Sequence, residues 1–129
     1  MEDAARAEER TAVFGYGSLI NPKSVAKTLG RTLSADEMVA CRLRGYRREW
    51  EAVDTVWVSE AAPVHAVFLN LRPDPSSEAI GVGFYVRAAE LRALDKRERH
   101  YDRVDVSRLL RPRLQGTVYT YIAKPERLV

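Results

Sequence analysis

The sequence predicts an α+β fold: a small mixed β-barrel or sheet of about six strands with flanking helices. Three observations predict it. Segments rich in β-formers dominate, with only two segments that read as helix. The strand segments also follow one another, without the strand–helix alternation of a doubly wound parallel sheet. Finally, 129 residues with 46% hydrophobic side chains suffice for one core, and no internal repeat or low-complexity linker divides them.

Residues 1–10 are charged and alanine-rich and contain no apolar signal-peptide core. They are expected to form a flexible tail ahead of a single domain over residues 11–129. Residues 11–16 are apolar and β-prone, a first strand. Residues 15–20 read as a glycine turn. A helix then starts at Asn21-Pro22, with Asn as N-cap and Pro at the first helical position, and ends at Gly30. Residues 39–53 and 55–58 read as strand, with Gly45 as a bulge. Residues 64–71 and 80–86 read as two strands separated by a loop at Pro73-Asp74-Pro75-Ser76-Ser77. Residues 88–98 read as helix, and residues 104–106 and 117–122 as the last strands.

Composition narrows the function classes. The lone cysteine, Cys41, lies in an apolar strand-like run and is expected to be a buried thiol in a reducing, cytoplasmic setting. His65 and His100 are the only histidines, too few for a structural zinc site. No apolar run approaches the roughly 20 residues that span a bilayer. The net charge of +3 suits an acidic small molecule without demanding nucleic acid.

Two places carry chemistry. Gly15-Tyr16-Gly17-Ser18 lies between strand and helix, where glycines let a ligand approach the backbone and consecutive N–H groups can cradle an anion. The following helix N-terminus adds positive partial charge. Neither the P-loop nor the dinucleotide fingerprint is present. A tight turn with no ligand stays the alternative. The second place is Glu98. It falls on the same helical face as Leu91 and Leu94, where a carboxylate is out of place, whereas Glu90 and Asp95 lie off that stripe as ordinary solvated acids. Burial would raise the Glu98 pKa towards the range of a general acid/base, and the basic residues around it oppose that, so the net shift is open. A structural ion pair with a neighbouring arginine is the competing reading. Tyr101, three residues on, is placed either to hydrogen-bond the carboxylate or to pack at the core edge. Ser18 lacks a histidine base and the nucleophile-elbow glycines, which favours a turn-stabilising role over a nucleophilic one.

Together these segments resemble a known family. Phe14-Gly15-Tyr16-Gly17-Ser18-Leu19-Ile20-Asn21-Pro22 is similar to the glycine-turn signature of the γ-glutamylcyclotransferase-like superfamily, in the branch of ChaC-type and AIG2-like proteins. Leu94-Asp95-Lys96-Arg97-Glu98-Arg99-His100-Tyr101 resembles its catalytic segment. Gly45-Tyr46-Arg47-Arg48-Glu49-Trp50 resembles its intervening strand, and Ile80-Gly81-Val82-Gly83-Phe84-Tyr85 the strand before the catalytic helix. The resemblance runs from about residue 12 to 106. It implies the γ-glutamylcyclotransferase-like fold, with Glu98 as acid/base and Tyr16, Gly17, Ser18 and Leu19 binding the glutamyl end of a γ-glutamyl substrate, with Tyr101 beside it. It also implies cyclisation to 5-oxoproline with no cofactor and no metal. Residues 54–63 and 72–78 are expected to be the loops that distinguish one γ-glutamyl compound from another. Two rivals stand: a non-catalytic small-molecule-binding protein on the same fold, and a nucleic-acid module using Arg42, Arg44, Arg47 and Arg48 interleaved with Tyr46 and Trp50.

Overall fold

The computed structural model describes residues 10–17, 21–59 and 62–128. β1 (Thr11–Gly15) leads into α1 (Pro22–Leu29), and a 3-10 turn (Ala35–Glu37) precedes two long strands, β2 (Val39–Ser59) and β3 (Ala62–Val86). Then follow α2 (Ala88–Arg97), β4 (Tyr101–Asp105), β5 (Leu110–Arg111) and β6 (Thr117–Ala123). They form one six-stranded sheet in the order β4-β6-β1-β3-β2-β5. The β1–β6 pair is parallel and the other four are antiparallel, so the sheet is mixed, as the sequence predicts.

The local signals act as read. Asn21 Oδ1 accepts the Lys23 N–H at 2.9 Å, and Gly30 closes α1 at φ 75° with its N–H on Ala26 O. Gly45 sits at φ 84°, where the β2–β3 register shifts between Arg44 and Tyr46.

The structure corrects two expectations about β2 and β3. Residues 54–59 and 62–63 belong to the paired ends of these strands, not to a discriminating loop, because the antiparallel ladder continues from Asp54–Ala66 out to Ser59–Ala62. Residues 60 and 61 lie outside the described residues. The strand assignment also runs through Pro73–Ser77. The loop chemistry survives inside it: residues 74–77 have no register partner opposite the Gly45 bulge, and Asp74 accepts from Ser76 and Ser77.

β1 is buried on both faces, which explains its unbroken apolar run. Ala12, Phe14 and Tyr16 join one core cluster with Cys41, Leu43, Leu71 and Val118. Val13 joins the other with Val25 of α1, Leu94 of α2, Phe84 and Tyr121. Cys41 is a buried thiol whose pKa burial pushes up, as its apolar setting predicts.

Two polar contacts lock distant parts of the sheet. Asn70 on β3 is buried; its Oδ1 accepts the Ala123 N–H at 2.8 Å and its Nδ2 donates to Glu51 Oε1 at 2.9 Å. Asn70→Ala strands the Ala123 N–H, so it is expected to cost about 1–3 kcal/mol in urea unfolding. The second lock corrects the reading of Glu90 as a solvated acid. Glu90 is buried at the third position of α2, where its carboxylate accepts the Arg87 N–H at 2.8 Å and is clasped by Arg31 through Nε and, at 3.1 Å, Nη2. The hydrogen bond from Arg31 holds the Glu90 carboxyl below its ordinary range. A carboxylate depressed on folding contributes stability above its unfolded pKa, about 4.3, and loses it as pH falls towards the folded value. Thermal unfolding from pH 6 to pH 3 should therefore show a smaller acid destabilisation in Glu90→Gln than in wild type.

Candidate active site

The glycine turn follows directly from β1. Gly15 is the last residue of β1 paired to β3, opposite Val82, and Tyr16 carries the chain out of the sheet. The Tyr16 side chain is buried and its hydroxyl donates to the Tyr121 carbonyl of β6 at 2.5 Å. Gly17 follows at close quarters to β3: a Cβ placed on it would lie 3.8 Å from Leu69 Cβ. Ser18 and Leu19, also expected in the substrate loop, lie outside the described residues.

Glu98 arrives from the other side. α2 ends at Arg97, and Glu98 is its cap residue at φ −96°, ψ 39°, with its N–H still bonded to Leu94 O at 2.8 Å. It therefore keeps the inward side of buried Leu94 although the helix has ended. Its carbonyl accepts the Tyr101 N–H at 2.9 Å, a tight reversal that returns the chain into β4. The Glu98 side chain is only 16% exposed.

Electrostatics join the two places. Burial raises the Glu98 pKa against the opposing charge of Arg97, which settles the direction left open by the sequence. The Arg97 Nε stands 3.8 Å from Glu98 Oε1, too far for a tight pair, because its other guanidinium nitrogens are spent on α1: Nη2 donates to Ser24 Oγ at 2.7 Å and Nη1 to Thr28 Oγ1 at 3.3 Å. The Tyr16 phenol is pushed far up by burial first, then by Tyr101 and the charge of Glu98. Tyr121 is pushed up by burial, its bond to Asp95 and the charges of Asp95 and, more weakly, Glu98. Glu98, Tyr16 and Tyr101 thus share one electrostatic neighbourhood where the two core clusters meet.

Tyr101 donates to the Leu69 carbonyl at 3.3 Å, on the β3 residue that faces Gly17. Three further participants were not expected at this site, although Arg48 was named in the basic strand. Tyr121 anchors Tyr16 through its carbonyl and donates its own hydroxyl to Asp95 at 2.7 Å. Leu69 lies between Gly17 and Tyr101, and Arg48 Nη1 donates to the Tyr16 carbonyl at 3.5 Å. Only the strand order brings these together, and no spacing signals it. Asp95, read as solvated, is tied to Tyr121 and, at 2.9 Å, to Arg103.

No protein-family model matches the sequence, and no curated protein does. Solved structures do match. One is a protein from Arabidopsis thaliana at 24% identity, covering 92% of this chain and 74% of that one with a TM-score of 0.60. A gamma-glutamyl cyclotransferase matches at 15% identity over 89% of this chain and 67% of that one, TM-score 0.63. A glutathione-specific gamma-glutamyl cyclotransferase from yeast matches at 15% identity over 88% and 69%, TM-score 0.61. The chain has the γ-glutamyl cyclotransferase-like fold.

Proposed function

We propose that this protein is a cofactor-independent γ-glutamyl cyclotransferase that releases 5-oxoproline from a small γ-glutamyl compound. The observation that carries the reading is Glu98: a buried carboxyl with a raised pKa, whose charge reaches the tyrosine of the glycine turn. In the reaction, the neutral α-amine of the γ-glutamyl group attacks its own γ-carbonyl carbon. A C–N bond forms and Glu98 takes the proton from that nitrogen. The carbonyl re-forms as the original amide C–N bond breaks, and Glu98 returns the proton to the leaving nitrogen. The substrate supplies the nucleophile, so the protein's task is to hold an extended chain in a near-ring, which removes several kcal/mol of entropic barrier. N–H groups of the turn at Tyr16 and Gly17 are suited to the α-carboxylate or the oxyanion.

The basic strand supports this reading over nucleic-acid binding. Arg42 faces Glu78 at 3.7 Å, and Arg47 faces Glu49 at 3.0 Å and Asp74 at 3.7 Å, so half of the arginine set is already matched by carboxylates. Among the described residues, no helix is long and apolar enough to cross a membrane. The unpaired thiol of Cys41 suits the cytoplasm.

The test is 5-oxoproline release from glutathione, γ-glutamyl amino acids and γ-glutamyl amines. Turnover of at least one class is expected. The rate should rise with pH until Glu98 and the substrate amine are both deprotonated. A folded protein that turns over none of them overturns the proposal.

A further inference from the structure

The inner face of β2 carries two exposed side chains beside the turn that the proposed reaction does not use. Trp50 is 67% exposed, yet it is not on the outer face of its strand. It pairs with Leu69, and Arg48 pairs with Leu71. Cross-strand partners in an antiparallel ladder share a face. Leu71 is fully buried in the first core cluster and Leu69 packs against it, so Arg48 and Trp50 emerge where that core runs out. The alternate residues Arg47 and Glu49 are ion-paired to each other, with Arg47 also near Asp74. Arg48 has no such partner among the described residues. Among the described residues its one bond is Nη1 to the Tyr16 carbonyl at 3.5 Å, which leaves most of its N–H donors for a ligand. Leu69, beneath Trp50, is the residue that faces Gly17 and whose carbonyl receives Tyr101.

We propose that Trp50 and Arg48 read the leaving half of the substrate, the indole carrying a large apolar side chain and the guanidinium the free carboxylate of the released amino acid. This rests on the cyclotransferase reading and narrows it to γ-glutamyl dipeptides with a bulky apolar second residue. The spacing suits such a ligand: residues two apart on a strand stand about 7 Å from each other, the reach of one amino acid from carboxylate to side-chain tip. An indole face accepts apolar and aromatic groups, and a guanidinium fork matches a carboxylate.

The test is calorimetric binding to Glu98→Gln, which holds substrate without turnover. The probes are γ-glutamylphenylalanine, γ-glutamylglycine and γ-glutamylphenethylamine, the last lacking the carboxylate. γ-Glutamylphenylalanine is expected to bind about tenfold tighter than either of the others. Adding Trp50→Ala should erase its advantage over the glycine compound, and Trp50→Phe should restore most of it. Adding Arg48→Gln should erase its advantage over the phenethylamine. Equal affinity for all three probes, or equal loss for all three in the variants, overturns the assignment. If binding follows this pattern and wild type releases no 5-oxoproline, the recognition assignment stands and the cyclotransferase reading falls. If wild type turns over all three with a preference that Trp50→Ala leaves untouched, the outcome is the reverse. Binding of no probe removes both.

Discussion

Glu98→Gln is expected to reduce 5-oxoproline release at least about a hundredfold while making the fold more stable at neutral pH. The amide keeps the size and hydrogen-bonding capacity of the carboxyl and loses only the titrating proton. Loss of a proton-transfer group in such a site is typically worth about 10²–10⁴ in rate. The stability change has the opposite sign for a stated reason. Burial raises the folded pKa of Glu98 above its unfolded value, so its contribution is fully present below the unfolded pKa and is lost as pH rises through the folded one. Above its folded pKa the wild-type fold holds an ionised carboxylate that burial disfavours, and glutamine relieves it. The gap in Tm between variant and wild type should therefore be positive at pH 7 and shrink towards pH 4. An inactive variant that is also destabilised at pH 7 would mean that Glu98 is a structural ion-pair member with Arg97, the rival reading of the same residue.

The largest effect on stability is expected at Gly81. A Cβ on Gly81 would collide with the Gly15 carbonyl oxygen and stand 2.6 Å from Cζ of buried Phe14. Backbone cannot yield as a flexible side-chain tip does, and Phe14 is fully enclosed. Gly81→Ala is expected to cost at least about 3 kcal/mol, a large share of the roughly 5–15 kcal/mol that holds a domain together. Gly30→Ala is the contrast. Gly30 has a positive φ and open space around it, so only the conformational penalty of about 1 kcal/mol applies. Denaturant midpoints for the pair check the ranking; equal midpoints would show that the strand around Gly81 yields freely.

Much of this was legible in the residues. Asn21, Pro22 and Gly30 bound their helix as local chemistry dictates, and Gly45 marks a true register shift. Glu98 was visible because a carboxylate interrupts a leucine stripe, and it is largely buried. The failures share one cause: a partner distant in sequence. Glu90 lies off the apolar stripe, yet Arg31 arrives from 59 residues away to cover it. Asp95, by contrast, keeps a side chain 40% exposed as the solvated reading expects, while also accepting from Tyr121, 26 residues on. The prolines near residue 74 suggest a break, but the flanking pairs Tyr46–Pro73 and Arg44–Glu78 resume the same ladder around them. The roles of Tyr121, Leu69 and Arg48 depend wholly on which strands are neighbours.

The bond from the Tyr16 hydroxyl to the Tyr121 carbonyl joins residues 105 apart, and this has a consequence on the ribosome. Chains emerge from the N-terminus at about 5–20 residues per second, so Tyr16 waits roughly 5–20 s for the strand that fixes it. During that interval the edge of β1 that will receive β6 is open, an unpaired template for other nascent strands. A chain halted before Tyr121 would carry the whole glycine turn and Glu98 and still lack the anchor of the turn. The glycine turn therefore gains its anchor only when β6 slots in beside β1.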